Sequence, residues 1–217
     1  FEFEGIRYYS NVMATFTPSL RKAIEKAKML DINIIAPGHG PVYRKNPQKI
    51  MDDYYRFSLY AEGAGKNEIT ILWGSMYGMT AKAVNYVEGI LKREGIKYNK
   101  LEMPLKSNSE MIATVFKSAG VIVAAPTYEY KLFPPVAEAL NELGRKRITG
   151  KVAFRFGSYG WSGGAEKELK EIIERNRMNW DFIESVEFEG APREEDLIKV
   201  EAGVLKLIEK IREKVIE

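Results

Sequence analysis

The sequence predicts an α/β protein. Its core is a doubly wound, five-stranded parallel sheet in the order 2-1-3-4-5, preceded by a smaller N-terminal α/β segment. Three observations carry this expectation. Residues 120–125 are apolar throughout, as a strand covered on both faces must be. From Glu68 onward, strand-like runs alternate with amphipathic helical stretches, the pattern of βαβ units. Three of the strands run out into turns rich in Gly, Ser, Thr and aromatics, and the strand order brings those turns to one edge of the sheet.

Taken in order, residues 1–9 alternate loosely (Phe1, Phe3, Ile6, Tyr8) and are expected as a strand or hairpin piece. Thr17 is the expected N-cap of a helix over 19–30, with Pro18 at a first helical position where its missing N–H costs nothing. Leu20, Ala23, Ile24, Ala27 and Leu30 share one face of it. Residues 32–36 read as a short buried strand. It ends in the turn Pro37-Gly-His-Gly-Pro41, which carries the single histidine of the sequence. A helix over 47–60 follows. Ala61-Glu-Gly-Ala-Gly-Lys-Asn67 has the composition of a linker and is taken as the boundary between a segment 1–60 and a domain 68–217.

Within that domain, strands are expected over 69–73, 96–101, 120–125, 151–156 and 180–188. Helices are expected over 80–93, 109–118, 134–143, 164–175 and 193–215. On the last strand Phe182, Val186 and Phe188 share a parity, while Glu184 and Glu187 suit a sheet edge.

Composition narrows the chemistry. The 33 basic and 30 acidic residues are interspersed and leave a net charge of +3, with no clustered stripe of the kind nucleic acid requires. The absence of cysteine excludes disulfides, zinc-thiolate sites, iron–sulfur clusters and thiol nucleophiles within the chain. No apolar run approaches the roughly 18–20 residues needed to span a bilayer. The first residues carry no secretory signal. A cytoplasmic protein that binds neither membrane nor nucleic acid is the expectation. The chain starts with Phe rather than Met, which suits a fragment or a processed form.

The first strand end is Gly74-Ser-Met-Tyr-Gly-Met-Thr80. Ser75 and Thr80 offer hydroxyls, Gly74 and Gly78 are expected to let N–H groups converge, and a helix follows with its positive end. Neither the Walker A pattern nor the three-glycine dinucleotide fingerprint is present, so a monophosphate fits better. On its own the loop is also compatible with a structural turn. The second, Ala125-Pro-Thr-Tyr-Glu-Tyr130, sets Tyr128 and Tyr130 to flank a flat ring and Thr127 to bond its edge. The third, Gly157-Ser-Tyr-Gly-Trp-Ser-Gly-Gly164, sets Tyr159 and Trp161 among glycines. Each aromatic taken singly also fits packing against a helix. Together the three loops point to a planar, monophosphorylated ligand, for which flavin mononucleotide (FMN) is the candidate. No nucleophile–base arrangement accompanies the many serines, which weakens a hydrolase reading. His39 alone makes no metal site.

The residues from Glu68 onward resemble flavodoxin-like domains. The whole chain resembles the C-terminal part of the flavodiiron (A-type flavoprotein) family. The resemblance rests on Tyr8-Tyr-Ser-Asn-Val-Met13, on Leu30-Asp-Ile-Asn-Ile-Ile-Ala-Pro-Gly-His-Gly-Pro-Val-Tyr43, and on the first and third strand-end loops. It implies that Ser75, Met76, Tyr77, Gly78, Met79 and Thr80 surround an FMN phosphate. Pro126, Thr127, Tyr128, Glu129 and Tyr130 would contact the ribityl chain and ring, and Ser158, Tyr159, Gly160, Trp161 and Gly163 would close the other side. It implies that His39 is the last histidine ligand of a non-heme diiron centre in a metallo-β-lactamase-like domain, of which residues 1 to about 46 are the closing elements. The family's other metal ligands are absent from this sequence, so its diiron site is incomplete here. The resemblance further implies reduction of dioxygen or nitric oxide by the parent protein, a rubredoxin-like electron donor, and a homo-oligomer (a dimer or higher). The missing ligands would belong to a longer parent chain or to a separate chain. The alternatives are an NAD(P)H-dependent FMN quinone reductase, against which the Pro-Gly-His-Gly-Pro turn argues, and a non-enzymatic interaction module.

Overall fold

The computed structural model describes residues 2–105 and 107–216; Phe1, the first residue of the expected strand, lies outside them. The chain opens with a helix, α1 (Glu2–Tyr8), not with a strand. The apolar residues Phe3, Ile6 and Tyr9 recur at intervals of three, which is helical spacing, and Glu2 and Glu4 at its start and Arg7 at its end suit the helix dipole. A π turn (Tyr9–Met13) and a 3₁₀ turn (Ala14–Phe16) lead into α2 (Thr17–Ala27). Thr17 is the first helical residue rather than the cap: its hydroxyl donates to the Ala14 carbonyl at 2.8 Å and pairs with the Tyr9 hydroxyl at 3.0 Å. The expected strand 32–36 survives only as a single antiparallel bridge between Ile35 and Tyr43. The described residues offer it no neighbouring strand, and an isolated strand has no ladder to join. Helix α3 (Pro47–Tyr60) is capped by the Asn46 side chain, which accepts from the Lys49 N–H.

The five main strands are β1 (Lys66–Trp73), β2 (Lys97–Glu102), β3 (Ser118–Ala124), β4 (Val152–Tyr159) and β5 (Asp181–Glu189). All neighbours are parallel, and the spatial order is β2-β1-β3-β4-β5 as expected. Helices α4 (Met79–Arg93) and α8 (Glu194–Ile211) cover one face. On the other lie α5 (Asn108–Lys117), α6 (Pro134–Arg145) and α7 (Ala165–Arg175). The N-terminal helices join this second core: Ile6, Tyr9, Phe57 and Tyr60 are buried with Phe116 of α5.

Two further expectations change for physical reasons. Residues 61–67 are a packed joint, not a loose linker. Lys151 Nζ and the Thr149 hydroxyl donate to the Ala64 and Ala61 carbonyls, and a Cβ on Gly63 would lie 2.3 Å from the Gly150 carbonyl oxygen. The glycines there permit close backbone approach. On β5, the register passes from Phe154↔Ile183 to Phe156↔Val186, so β5 carries one extra residue. That bulge turns Phe182 to the α7 face while Ile183, Val186 and Phe188 pack on the α8 face, and the shared parity of Phe182 with the other two is lost.

Candidate functional site

β1, β3 and β4 end at one edge of the sheet, and the loops that follow them enclose a cleft of about 470 Å³. That volume falls within the range of small-molecule and cofactor sites. In the first loop Gly74 is required by packing: a Cβ there would meet the Phe133 ring at 2.6 Å, and its N–H is already given to the Ala124 carbonyl. It therefore donates no N–H to an anion, contrary to expectation. Ser75 Oγ accepts from the Gly78 N–H at 3.0 Å, closing the turn. Gly78 has φ +79° and starts α4, which no side chain caps, whereas Asn46 and Ser107 cap α3 and α5. The first N–H groups of α4 are thus left for another acceptor. Thr80 is fully buried, and its hydroxyl lies 3.0 Å from that of Ser158, joining the first loop to the third.

The second loop is a hairpin that pairs Thr127 with Leu132 and Tyr128 with Lys131. Its two-residue turn is Glu129-Tyr130, with φ of +47° and +63°. Such turns ordinarily hold Asn-Gly, and a side chain in this region costs about 1–2 kcal/mol per residue. The surroundings hold the turn in place: Glu168 accepts from the Leu132 N–H at 2.6 Å, and the Gly164 backbone lies so near the Tyr130 carbonyl that a Cβ would come within 2.1 Å of its oxygen. Strain held in this way clusters at functional sites.

The third loop continues β4 further than expected, through Ser158 and Tyr159. The Tyr159 carbonyl accepts from the Gly190 N–H at 2.8 Å.

The structure brings most of the expected residues together. Met76, Tyr77 and Met79 line the cleft from the first loop, Pro126, Thr127, Tyr128, Glu129 and Tyr130 from the second, and Ser158, Tyr159, Gly160 and Trp161 from the third. Ser75, Gly78, Thr80 and Gly163 are not among its lining residues. Ser162 and Gly190 line it without having been expected; Gly190, with φ +62° at the end of β5, follows a strand whose aromatic Phe188 reads as core, so nothing there points to a ligand. Trp161 is 99% exposed, Tyr77 83% and Tyr130 75%, so these rings do not pack against helices within the chain. The Thr127 hydroxyl is buried with no hydrogen-bond partner among the described residues. Larger depressions of about 760 and 820 Å³ flank α7, but helix side chains such as Glu142, Arg175 and Lys170 line much of them, and of the three strand-end loops only the second reaches one of them, through Tyr128, Glu129, Lys131 and Leu132.

His39 sits outside this cleft, exposed, with its ring 5.7 Å from that of Tyr8. Among the described residues no group of three or more His, Cys, Asp or Glu is placed to hold a metal ion. None of the described helices is long and apolar enough to cross a membrane.

The strand order, the uncapped helix after β1 and the aromatic cleft at the carboxyl ends define a flavodoxin-like α/β protein. No family model matches the chain. It is 29% identical over 196 residues to a nitric oxide reductase of Moorella thermoacetica, covering 89% of this chain and 48% of that protein. Among solved structures, the rubredoxin oxygen:oxidoreductase of Desulfovibrio gigas superposes with a TM-score of 0.87 at 24% identity, over 98% of this chain and 53% of that one. The flavodiiron protein of Giardia intestinalis superposes with a TM-score of 0.81 at 24% identity, over 96% and 51%. The chain belongs to the flavodiiron family, matching its C-terminal, flavodoxin-like part. It spans about half the length of the curated relative described here.

Proposed function

We propose that this chain is the FMN-binding, electron-transferring part of a flavodiiron-type reductase of dioxygen or nitric oxide. The observation that carries the reading is the cleft itself. Three strand ends converge on it, large aromatics stand exposed around it, and an unpartnered Thr127 hydroxyl lies beside it. FMN is the family's cofactor, and when bound it supplies electron transfer at its ring. The residues fit that group. The uncapped start of α4, with the turn from Ser75 to Met79, would hold the phosphate chiefly through N–H groups, and Thr80 behind it would fix that turn to Ser158 of the third loop. Pro126 to Tyr130 on one side, and Ser158 to Trp161 with Gly163 behind them on the other, would orient the ring and exclude water from it.

The same reading assigns residues 1–60 to the end of a metallo-β-lactamase-like domain and 68–217 to the flavin domain, joined through 61–67. It makes His39 one ligand of a diiron centre whose other ligands lie outside this chain. A rubredoxin-like donor, a homo-oligomer and a cytoplasmic location belong to the proposal as well. Titration of the purified chain with FMN tests it: quenched flavin fluorescence and retention of roughly one FMN per chain are expected. No binding at micromolar FMN would overturn it.

A further inference from the structure

Behind the cleft lies a charged pair that the flavin reading does not use. Arg155, in the middle of β4, has a fully buried side chain, and its Nη1 donates to Glu187 Oε1 of β5 at 2.6 Å. Its Nη2 reaches the Ala125 carbonyl at 3.5 Å, and its Nε has no acceptor among the described residues. Burial pulls the guanidinium below its ordinary value, and the Glu187 charge opposes that. Burying the guanidinium costs several kcal/mol even beside a partly exposed carboxylate, and apolar residues of similar volume often serve stability as well or better. Stability alone therefore gives no reason to place it there.

Its contacts supply a reason. Ala125 immediately precedes Pro126, the root of the second loop. The other Glu187 oxygen lies against the third loop, where a Cβ on Gly163 would come within 2.7 Å of it. β4 also approaches the same point by its backbone: the Ala125 N–H donates to the Phe156 carbonyl at 3.1 Å. This pair, with Arg155 fully buried and Glu187 26% exposed, thus reaches the bases of both loops that flank the cleft, and among the described residues no hydrogen bond or ion pair joins it to the phosphate-side loop.

We infer that Arg155 and Glu187 are a positioning pair that sets the separation of the second and third loops, and so the width of the slot that receives a flat ring. The inference rests on the flavin reading. The guanidinium reaches the Ala125 carbonyl, and the carboxylate holds the guanidinium and stands beside Gly163, where only a residue without a Cβ fits. The long Nη2 contact and the free Nε leave the guanidinium room to tighten when a ligand presses on the second loop.

The test compares Arg155→Met, Glu187→Gln, Arg155→Lys and the double variant Arg155→Met/Glu187→Met. Thermal unfolding is measured without flavin, and affinity for FMN and for riboflavin is measured in the folded proteins. Each methionine or glutamine single variant is expected to weaken both ligands by about tenfold or more, because Arg155→Met leaves the carboxylate without its partner and Glu187→Gln leaves the buried guanidinium without its counter-charge. Arg155→Lys is expected to fall between these and the unaltered chain. The double variant is expected to recover the unfolding temperature but not the affinity. FMN and riboflavin are expected to lose the same factor, since the pair does not touch the phosphate side. Recovery of FMN affinity to within about twofold in the double variant, or undiminished affinity in Arg155→Lys, would overturn the assignment. So would a loss confined to FMN. Failure of the unaltered chain to bind FMN would overturn the flavin reading itself, and the inference with it.

Discussion

Replacing Thr80 with valine removes one hydroxyl and almost no volume. In the structure that hydroxyl meets Ser158 Oγ at 3.0 Å and the Ser158 N–H at 3.4 Å, with Thr80 fully buried and Ser158 7% exposed. A net hydrogen bond contributes about 1 kcal/mol, and leaving the Ser158 hydroxyl without a partner adds about 1–3 kcal/mol. The expected loss is therefore about 2–4 kcal/mol, or roughly 4–16 °C in the unfolding midpoint of a chain of this size. The bond ties the start of α4 to the end of β4, so its loss should loosen the third loop and weaken FMN and riboflavin together, by about three- to tenfold. Calorimetry gives the first quantity and parallel titrations give the second. A double-mutant cycle with Ser158→Ala should return a coupling of about 1 kcal/mol. Unchanged stability, together with a loss at least tenfold greater for FMN than for riboflavin, would refute the reasoning. The Thr80 hydroxyl would then serve the phosphate directly and not Ser158.

Other outcomes follow from the same fold. Gly164→Ala places a Cβ 2.1 Å from the Tyr130 carbonyl oxygen at φ +143°, so the hairpin must shift; FMN affinity should drop at least about tenfold and stability by more than about 2 kcal/mol. Gly89→Ala, inside α4 with nothing near its Cβ, should instead stabilise by about 0.5–1 kcal/mol and leave flavin binding unchanged, as thermal unfolding and titration will show. Burial pushes Lys151 down to about 7, although its ammonium donates to the Ala64 and Phe116 carbonyls and Glu68 favours its charge. Above that value the folded chain holds fewer protons than the unfolded one. Stability should therefore rise with pH from about 7 toward the ordinary lysine value of about 10.4, by a few kcal/mol in all. Urea unfolding across this window should show the rise in the unaltered chain and a flatter profile in Lys151→Met. A profile that falls between pH 7 and 10 in the unaltered chain would contradict it.

The sheet was legible because each strand sits beside a helix with a clean apolar stripe, and because β3 is apolar throughout. The cleft was legible because its aromatics stand at strand ends, where packing does not call for them. Other features turned on contacts between distant residues. Glycine-rich 61–67 looks like a linker until Gly150 and Ser118 are found against its backbone. The bulge in β5 depends on the register against β4, which side-chain alternation on β5 alone does not report. The Glu129-Tyr130 turn carries neither Asn nor Gly, so its left-handed backbone comes from the contacts that hold it and not from its own preference. Residues 1–9 support a period of two or of three about equally well, and packing against α5 decides for the helix.

Hydrogen exchange with and without saturating FMN tests most directly whether the strand-end cleft is the flavin site. Added protection is expected in residues 75–80, 126–132 and 158–163, with little change in α2, in residues 28–46 or along the outer faces of α6 and α7. Protection centred on the depressions beside α7, or none in the three loops, would contradict the assignment.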